Sequence, residues 1–348
     1  MSRSFSLLHA VAATAIGVGC LIGSLTMAHA ATELTVYTAY ENDDLSAYKK
    51  AFEADNPDIV INWVRDSTGV IAARLLAEKD NTRADVIWGL AVTNVDLLKK
   101  SGLLQAYAPK GLAAIAPKFR DSANPPYWFG NSGWLGAISY NEIEGKKRGI
   151  PAPKTWTDLA DPIYKDQIVM PNPASSGTGF IFVNAWLQSM GEQEAWKFMD
   201  KLNQNIAFYT HSGSSPAVMA ARGERVVGLA IELRGARLKQ EGAPIQLIFP
   251  AEALGWEMNA FAIMKGTPKL KAAQRLADWA SSEKAMRIYG ATRALVAVPG
   301  MAAKIPFIPD DIGERIMKQD FAWASTNNQR ILDEWEKRYG SKSEPKKK

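Results

Sequence analysis

The stretch LTVYTAYENDDLSAYKKAFEADNPDIVINWVRDSTGVIAARLLAEKDNTRADVIWGLAVTNVDLLKKSG, Leu34–Gly102, decides the fold. Leu34–Thr38 is β-rich and alternating, as a strand requires. A helix follows over Asp43–Asp55, with Leu45, Tyr48 and Phe52 on one face and a stop at Asn56-Pro57. Ile59–Val64 is a second strand and Gly69–Lys79 a second helix. Ala84–Gly89 is a third strand, and Val92–Lys100 is a helix that ends at Ser101-Gly102. Strands alternating with helices imply parallel βαβ units and an α/β sheet covered on both faces.

Outward from this stretch, a second series begins near Trp128. Gly136–Asn141 reads as a strand crossing into another lobe, and Gln167–Met170, Val226–Ile231 and Ile245–Phe249 as further strands. Helices are expected over 179–190, 192–203, 216–222 and 234–240. The strand Glu257–Met264 leads back to the first lobe, and helices over 270–281, 283–289 and 310–338 complete the chain. The expected organisation is a signal segment over 1–30, a first lobe over 31–133 and 256–305, a second over 134–255 and 306–340, and a basic disordered tail over 341–348. Two α/β lobes joined by crossing segments place a ligand cleft between them, beyond the carboxyl ends of the strands.

The ends and the composition narrow the function. Arg3, the largely apolar Leu7–Met27 and Ala28-His29-Ala30 have the three parts of a cleaved secretory signal, which implies a periplasmic protein. A membrane anchor, or a lipoprotein made through Cys20, fits less well: Gly, Ser, Thr and His9 interrupt the apolar run, and Gly17-Val18-Gly19-Cys20 lacks the usual leading Leu. Cys20 is the only cysteine and His211 the only histidine beyond the signal. No disulfide, cysteine nucleophile or two-histidine zinc site is therefore expected, and any Ser-His-Asp triad would have to use His211. The net charge is +5, concentrated partly in Lys342–Lys348, which reads as a solvated tail and not as a nucleic-acid stripe.

The βα junctions are rich in small polar residues. Tyr40-Glu41-Asn42-Asp43-Asp44 and Asp66-Ser67-Thr68-Gly69 follow the first two strands. In the second lobe, Pro171-Asn172-Pro173-Ala174-Ser175-Ser176-Gly177-Thr178-Gly179 and His211-Ser212-Gly213-Ser214-Ser215-Pro216 precede helices. Glycine permits close backbone approach, first-turn N–H groups donate, the helix dipole favours an anion, and hydroxyls add donors without charge. Such loops facing one cleft could hold a phosphate, phosphonate, sulfate or carboxylate; ordinary N-capping by the same Ser and Thr residues is the competing explanation. Glu41, Asp43, Asp44 and Glu232 could accept from an ammonium group. Tyr40, Trp88, Trp128, Trp134 and Trp256 could form apolar walls or cation–π contacts. His211 is as well placed for a hydrogen bond within its loop as for a ligand contact.

These same segments carry a resemblance. Val36–Glu41, Asp66–Gly69, Ala84–Ala91, Pro171–Phe180, Tyr209–Ser214 and Asp320–Ala324 resemble periplasmic substrate-binding proteins of ABC transporters for 2-aminoethylphosphonate, within the cluster that also holds ferric-ion-, thiosulfate- and polyamine-binding proteins. The resemblance implies a type II, two-lobed Venus-flytrap fold, each lobe a mostly parallel sheet flanked by helices, that closes on its ligand and docks on an inner-membrane permease. It implies that Ser67 and Thr68, Ser175, Ser176, Gly177 and Thr178, and His211, Ser212, Gly213 and Ser214 hold the phosphonate. Tyr40, Glu41, Trp88 and Glu232 are then candidates for the aminoethyl end, with Trp256 as an aromatic wall. The ferric-ion members carry adjacent tyrosines, and no Tyr-Tyr pair occurs here. A monomeric binding protein with no cofactor, metal, nucleic-acid partner or catalysis is the expectation, with another phosphonate, a phosphate ester or a sulfonate as alternative ligands and ferric iron or a polyamine ranked below them. A secreted hydrolase would need His211 or a carboxylate pair beside a poised nucleophile.

Overall fold

The alternation of Leu34–Gly102 becomes β1 (Thr32–Thr38), α1 (Asn42–Asp55), β2 (Ile59–Arg65), α2 (Thr68–Ala77), β3 (Val86–Ala91) and α3 (Val92–Lys100) in the computed structural model, which describes residues 31–345. The expected signal segment and Lys346–Lys348 lie outside the described residues. Next come β4 (Leu104–Gln105), β5 (Trp128–Asn141), α4 (Glu142–Arg148), β6 (Ile168–Pro171), α5 (Gly177–Met190), α6 (Glu192–Asn205), β7 (Ile206–Thr210), α7 (Ser215–Ala221), β8 (Val227–Ile231), α8 (Glu232–Gln240) and β9 (Ile245–Ile248). The chain then runs through β10 (Trp256–Met264), α9 (Leu270–Ala280), α10 (Glu283–Gly290), β11 (Leu295–Val296), α11 (Ile312–Arg315) and α12 (Phe321–Tyr339).

The strands join in the order β2-β1-β3-β10-β5-β8-β6-β7. Parallel pairs lie at the two ends, β1 with β2 and β3, and β6 with β7 and β8. Antiparallel β10 and β5 form the middle, with Trp256 opposite Leu135. β5 serves both lobes. Its first half pairs with β10, and from Gly136 onward it pairs with β8.

Each lobe has its own core. Leu34, Val36, Trp88, Phe261 and Leu276 belong to the first, and Trp156, Phe182, Trp186, Phe198 and Trp335 to the second. Full burial of such a side chain contributes about 1.5–3 kcal/mol relative to exposure. All six residues of β3 are buried, as expected for a strand covered on both faces.

Three expectations are revised. Ile308 and Ile312, assigned to the second lobe, pack in the first core. The single helix over 310–338 is broken: Met317 N donates to Leu254 O, and Asp320 restarts the helix by accepting from Trp323 N. Residues 341–345 are not a loose tail, because Ser343 forms a parallel bridge to Tyr209 and Lys342 Nζ donates to Ile206 O at 2.7 Å.

Candidate functional site

The loops that leave the strands of both lobes meet in one cleft. It is lined from the first lobe by Ala39, Tyr40, Glu41, Arg65, Ser67, Thr68 and Gly89, and from the second by Ser176, Gly177, Thr178 and Ser212–Ser214; Trp134, Ile231, Asn259 and Arg293 complete it. Ten of the fifteen residues expected at the site are therefore together: Tyr40, Glu41, Ser67, Thr68, Ser176, Gly177, Thr178, Ser212, Gly213 and Ser214.

Helix ends make this surface a donor surface. Neither α2 nor α5 has an acidic residue in its first turn. This leaves the positive end of α5 without a helical carboxylate, while at α2 the preceding Asp66 carboxylate accepts from Ser67 N at 2.7 Å. Capping accounts for Ser176, whose Oγ accepts from Gly179 N at 3.3 Å. It does not account for Ser67, which precedes α2 without a side-chain capping bond. Gly213 allows the two second-lobe loops to close up, because a Cβ there would lie 2.5 Å from Thr178 Oγ1.

Two arginines add positive charge. Arg65, the last residue of β2, donates from Nε to Tyr40 O at 3.1 Å and lies 3.7 Å from Glu41 Oε1. Arg293 is buried, pairs with the buried Asp44, and lies with its guanidinium 5.4 Å from the Tyr40 ring centre. Burial works most strongly against its charge, but Asp44 acting together with Tyr48, Tyr40 and Glu232 overcomes it and holds the pKa above its usual value. Its Nε has no partner among the described residues. Tyr40 donates to Asn131 Oδ1 at 2.6 Å, and burial holds its hydroxyl well above the ordinary phenol value.

The cleft is closed by direct contacts across it. Gly69 N donates to Ser175 O at 2.9 Å, and Ser214 Oγ donates to Glu41 Oε1 at 2.6 Å. Arg237 of α8 donates to Asp44 Oδ1 at 2.7 Å and to Asp43 Oδ2 at 3.2 Å. The first-turn acids of α1 thus pair with arginines instead of facing a ligand ammonium group.

Five expected site residues do not line the cleft. Trp88 is fully buried in the first core, stacked on Tyr48 at 5.6 Å and donating to Tyr289 Oη at 3.1 Å. Trp256 packs on Phe119 and Phe321 and donates to Met317 O at 3.2 Å. Ser175 Oγ turns inward and donates to His211 O at 3.1 Å. The His211 backbone N–H donates to the Glu344 carboxylate, and its ring Nε2 lies 3.2 Å from Pro345 O.

Glu232, the fifth, is buried one residue beyond the cleft-lining Ile231, and its Oε2 accepts from Leu135 N at 3.0 Å. Burial pushes its carboxyl up to about 7 from the ordinary 4.5, and does the same to Glu257 on β10. A raised carboxyl pKa gives stability that is fully present below 4.5 and is lost as pH rises through 7. Glu232→Gln keeps the acceptor and removes the titration. It is expected to recover on the order of 2 kcal/mol of the wild-type loss between pH 5 and pH 8. Urea denaturation at the two pH values checks this; an unchanged difference means the carboxyl titrates normally.

Arg65, Gly89, Asn259 and Arg293 are additions to the expected site. Arg65 was detectable, standing at a strand end immediately before Asp66-Ser67-Thr68. Arg293 has no local signal, since it sits in the turn between α10 and β11 and finds Asp44 249 positions away.

Residues 81–321 match the family described as bacterial extracellular solute-binding protein. The chain belongs to that family. An uncharacterised Haemophilus influenzae protein is 31% identical over 75% of the chain and 76% of its own length. A Salmonella typhi periplasmic protein, named provisionally for 2-aminoethylphosphonate binding, is 24% identical over 80% of the chain and 81% of its own length. Among solved structures, the periplasmic binding protein AfuA of Actinobacillus pleuropneumoniae, with exogenous fructose 6-phosphate bound, superposes with a TM-score of 0.82. It is 29% identical, and the match covers 89% of this chain and 99% of that one. The two-lobed fold is that of periplasmic binding proteins, and the binding protein works in the periplasm as the solute-binding component of an ABC importer. Among its described residues, no helix is long and apolar enough to cross a membrane, and no group of three or more His, Cys, Asp or Glu could hold a metal ion.

Proposed function

We propose that the binding protein captures a small organophosphorus anion, and within that class a hydroxylated phosphate monoester such as fructose 6-phosphate. The observation that carries the reading is the convergence of two helix N-termini without first-turn acids with Ser67, Thr68, Thr178 and Ser212, and with Arg65 and Arg293, on one cleft. A phosphoryl group loses its hydration when the lobes close, and only a dense set of N–H, O–H and guanidinium donors offsets that loss. The remaining lining suits a polyol: Asn259 offers an amide, and Trp134 and Ile231 offer apolar faces. AfuA, with fructose 6-phosphate bound, supports the same class.

The second reading is 2-aminoethylphosphonate. Glu41 favours it, because its partners, Ser214 across the cleft and Arg65 in its own lobe, both use Oε1, leaving Oε2 for an ammonium group among the described residues. The Salmonella typhi relative supports it too. Against it, Glu232 faces Leu135 and Trp88 lies in the core, so Glu41 would recognise the amine almost alone. Calorimetric titration with fructose 6-phosphate, 2-aminoethylphosphonate and ethylphosphonate separates the two. Tighter binding of the sugar phosphate is expected. Tight 2-aminoethylphosphonate binding with weak ethylphosphonate binding would reverse the order.

A further inference from the structure

We propose that the segment Gly340–Pro345 is a clasp that positions the two second-lobe ligand loops and thereby sets affinity without touching the ligand. β7 is the outer strand of the second lobe's sheet, and its carboxyl end opens directly into the His211–Ser214 loop. Ser343 pairs with Tyr209, and Glu344 N donates to Tyr209 O at 2.8 Å, so the segment continues the sheet at that edge. Its side chains then reach both loops. The Glu344 carboxylate accepts from His211 N, and Ser343 Oγ accepts from Asn172 Nδ2 at 2.9 Å.

Those two residues are the roots of the loops. Asn172 is buried, its Oδ1 accepts from Ala174 N at 2.7 Å, and its backbone O accepts from Ser176 N at 2.9 Å. His211 O accepts from Ser175 Oγ at 3.1 Å, tying one loop to the other. Neither Ser343 nor Glu344 lines the cleft, yet each holds a residue that precedes cleft donors, Ser176–Thr178 in one loop and Ser212–Ser214 in the other. Donors held in place before binding lose less freedom when the ligand arrives, which raises affinity. The fold does not depend on this contact, because α12 is already anchored in the second core by Ile331, Trp335 and Tyr339.

The proposal rests on the reading of these loops as ligand-holding, so its test has one arm that needs no ligand. In the Ser343→Ala/Glu344→Ala variant, amide hydrogen exchange is expected to quicken over 172–178 and 211–214. The Kd for fructose 6-phosphate is expected to rise about tenfold, with Tm within about 2 °C of wild type. Glu344→Gln keeps an acceptor for His211 N and should bind nearly as the wild type does. Unchanged exchange in both loops overturns the clasp, whatever the protein binds. Quicker exchange with an unchanged Kd overturns its role in affinity. If the wild type takes up no organophosphate, the proposed ligand falls while the exchange arm still decides whether the clasp braces the loops.

Discussion

Gly69→Ala is expected to weaken ligand capture on the order of 100-fold or more while leaving the ligand-free protein at least as stable as before. Gly69 stands in the first turn of α2, and its own N–H donates across the cleft to Ser175 O. A Cβ there would lie 2.0 Å from Ala174 O and 2.9 Å from Ser175 O, both backbone atoms of the opposite lobe. No side-chain rotation relieves such a clash, so the lobes must stay apart. Hinge closure around ligand is the motion this architecture uses, and a protein kept from its closed state binds only in proportion to the closed fraction that remains. Within α2 itself Ala is the better helix former, by up to about 1 kcal/mol. Urea denaturation without ligand and calorimetry with ligand separate the two effects. Wild-type affinity in Gly69→Ala would mean that these cross-cleft contacts are not part of the bound state.

Arg293→Met is expected to damage both stability and binding. Asp44 is buried, and its carboxylate has two cationic partners, Arg293 within the first lobe and Arg237 across the cleft. Methionine fills much of the volume but leaves Asp44 with Arg237 alone, a partner that departs when the lobes separate. Removing one member of a buried ion pair costs about 3–5 kcal/mol, which lowers Tm on the order of 10 °C. Ligand binding suffers separately, because the cleft loses the cation beneath Tyr40 and keeps near an anion site a carboxylate that Arg237 alone offsets. Affinity should fall on the order of 100-fold. Arg293→Lys should not restore it fully, since a point charge cannot serve Asp44 and the cleft in the guanidinium geometry. A Tm within about 2 °C of wild type would show that Arg293 carries little of the buried charge balance.

The fold was legible where local pattern determines it. β1 alternates, β3 is an apolar run buried from both sides, and α1 carries Leu45, Tyr48 and Phe52 at helical spacing; these signals are local and survive in any context. The full extent of β5 was hidden, because Gly130, Gly133 and Gly136 interrupt it and its two halves serve different lobes. The loops that line the cleft were marked by Ser, Thr and Gly at βα junctions, a pattern that N-capping shares and that Ser176 in fact uses for capping. What failed was the assignment of large and charged side chains. Trp88 and Trp256 have one-sided sequence surroundings that fit a cleft wall as well as a core, and only their contacts with Tyr48, Tyr289 and Phe321 decide between them. Glu232 and Arg293 depend on partners at Leu135 and Asp44, far away in sequence, which periodicity cannot reveal.

Titration of the chain from Ala31 onward with fructose 6-phosphate, and with fructose alongside it, tests the central claim most directly. One-to-one binding of the phosphate ester with no measurable binding of the free sugar is the expected result. Such binding should be lost in Arg293→Met and Gly69→Ala. Equal affinity for fructose and its phosphate would contradict the account, because the helix ends, hydroxyls and arginines that meet in the cleft would then not be holding an anion.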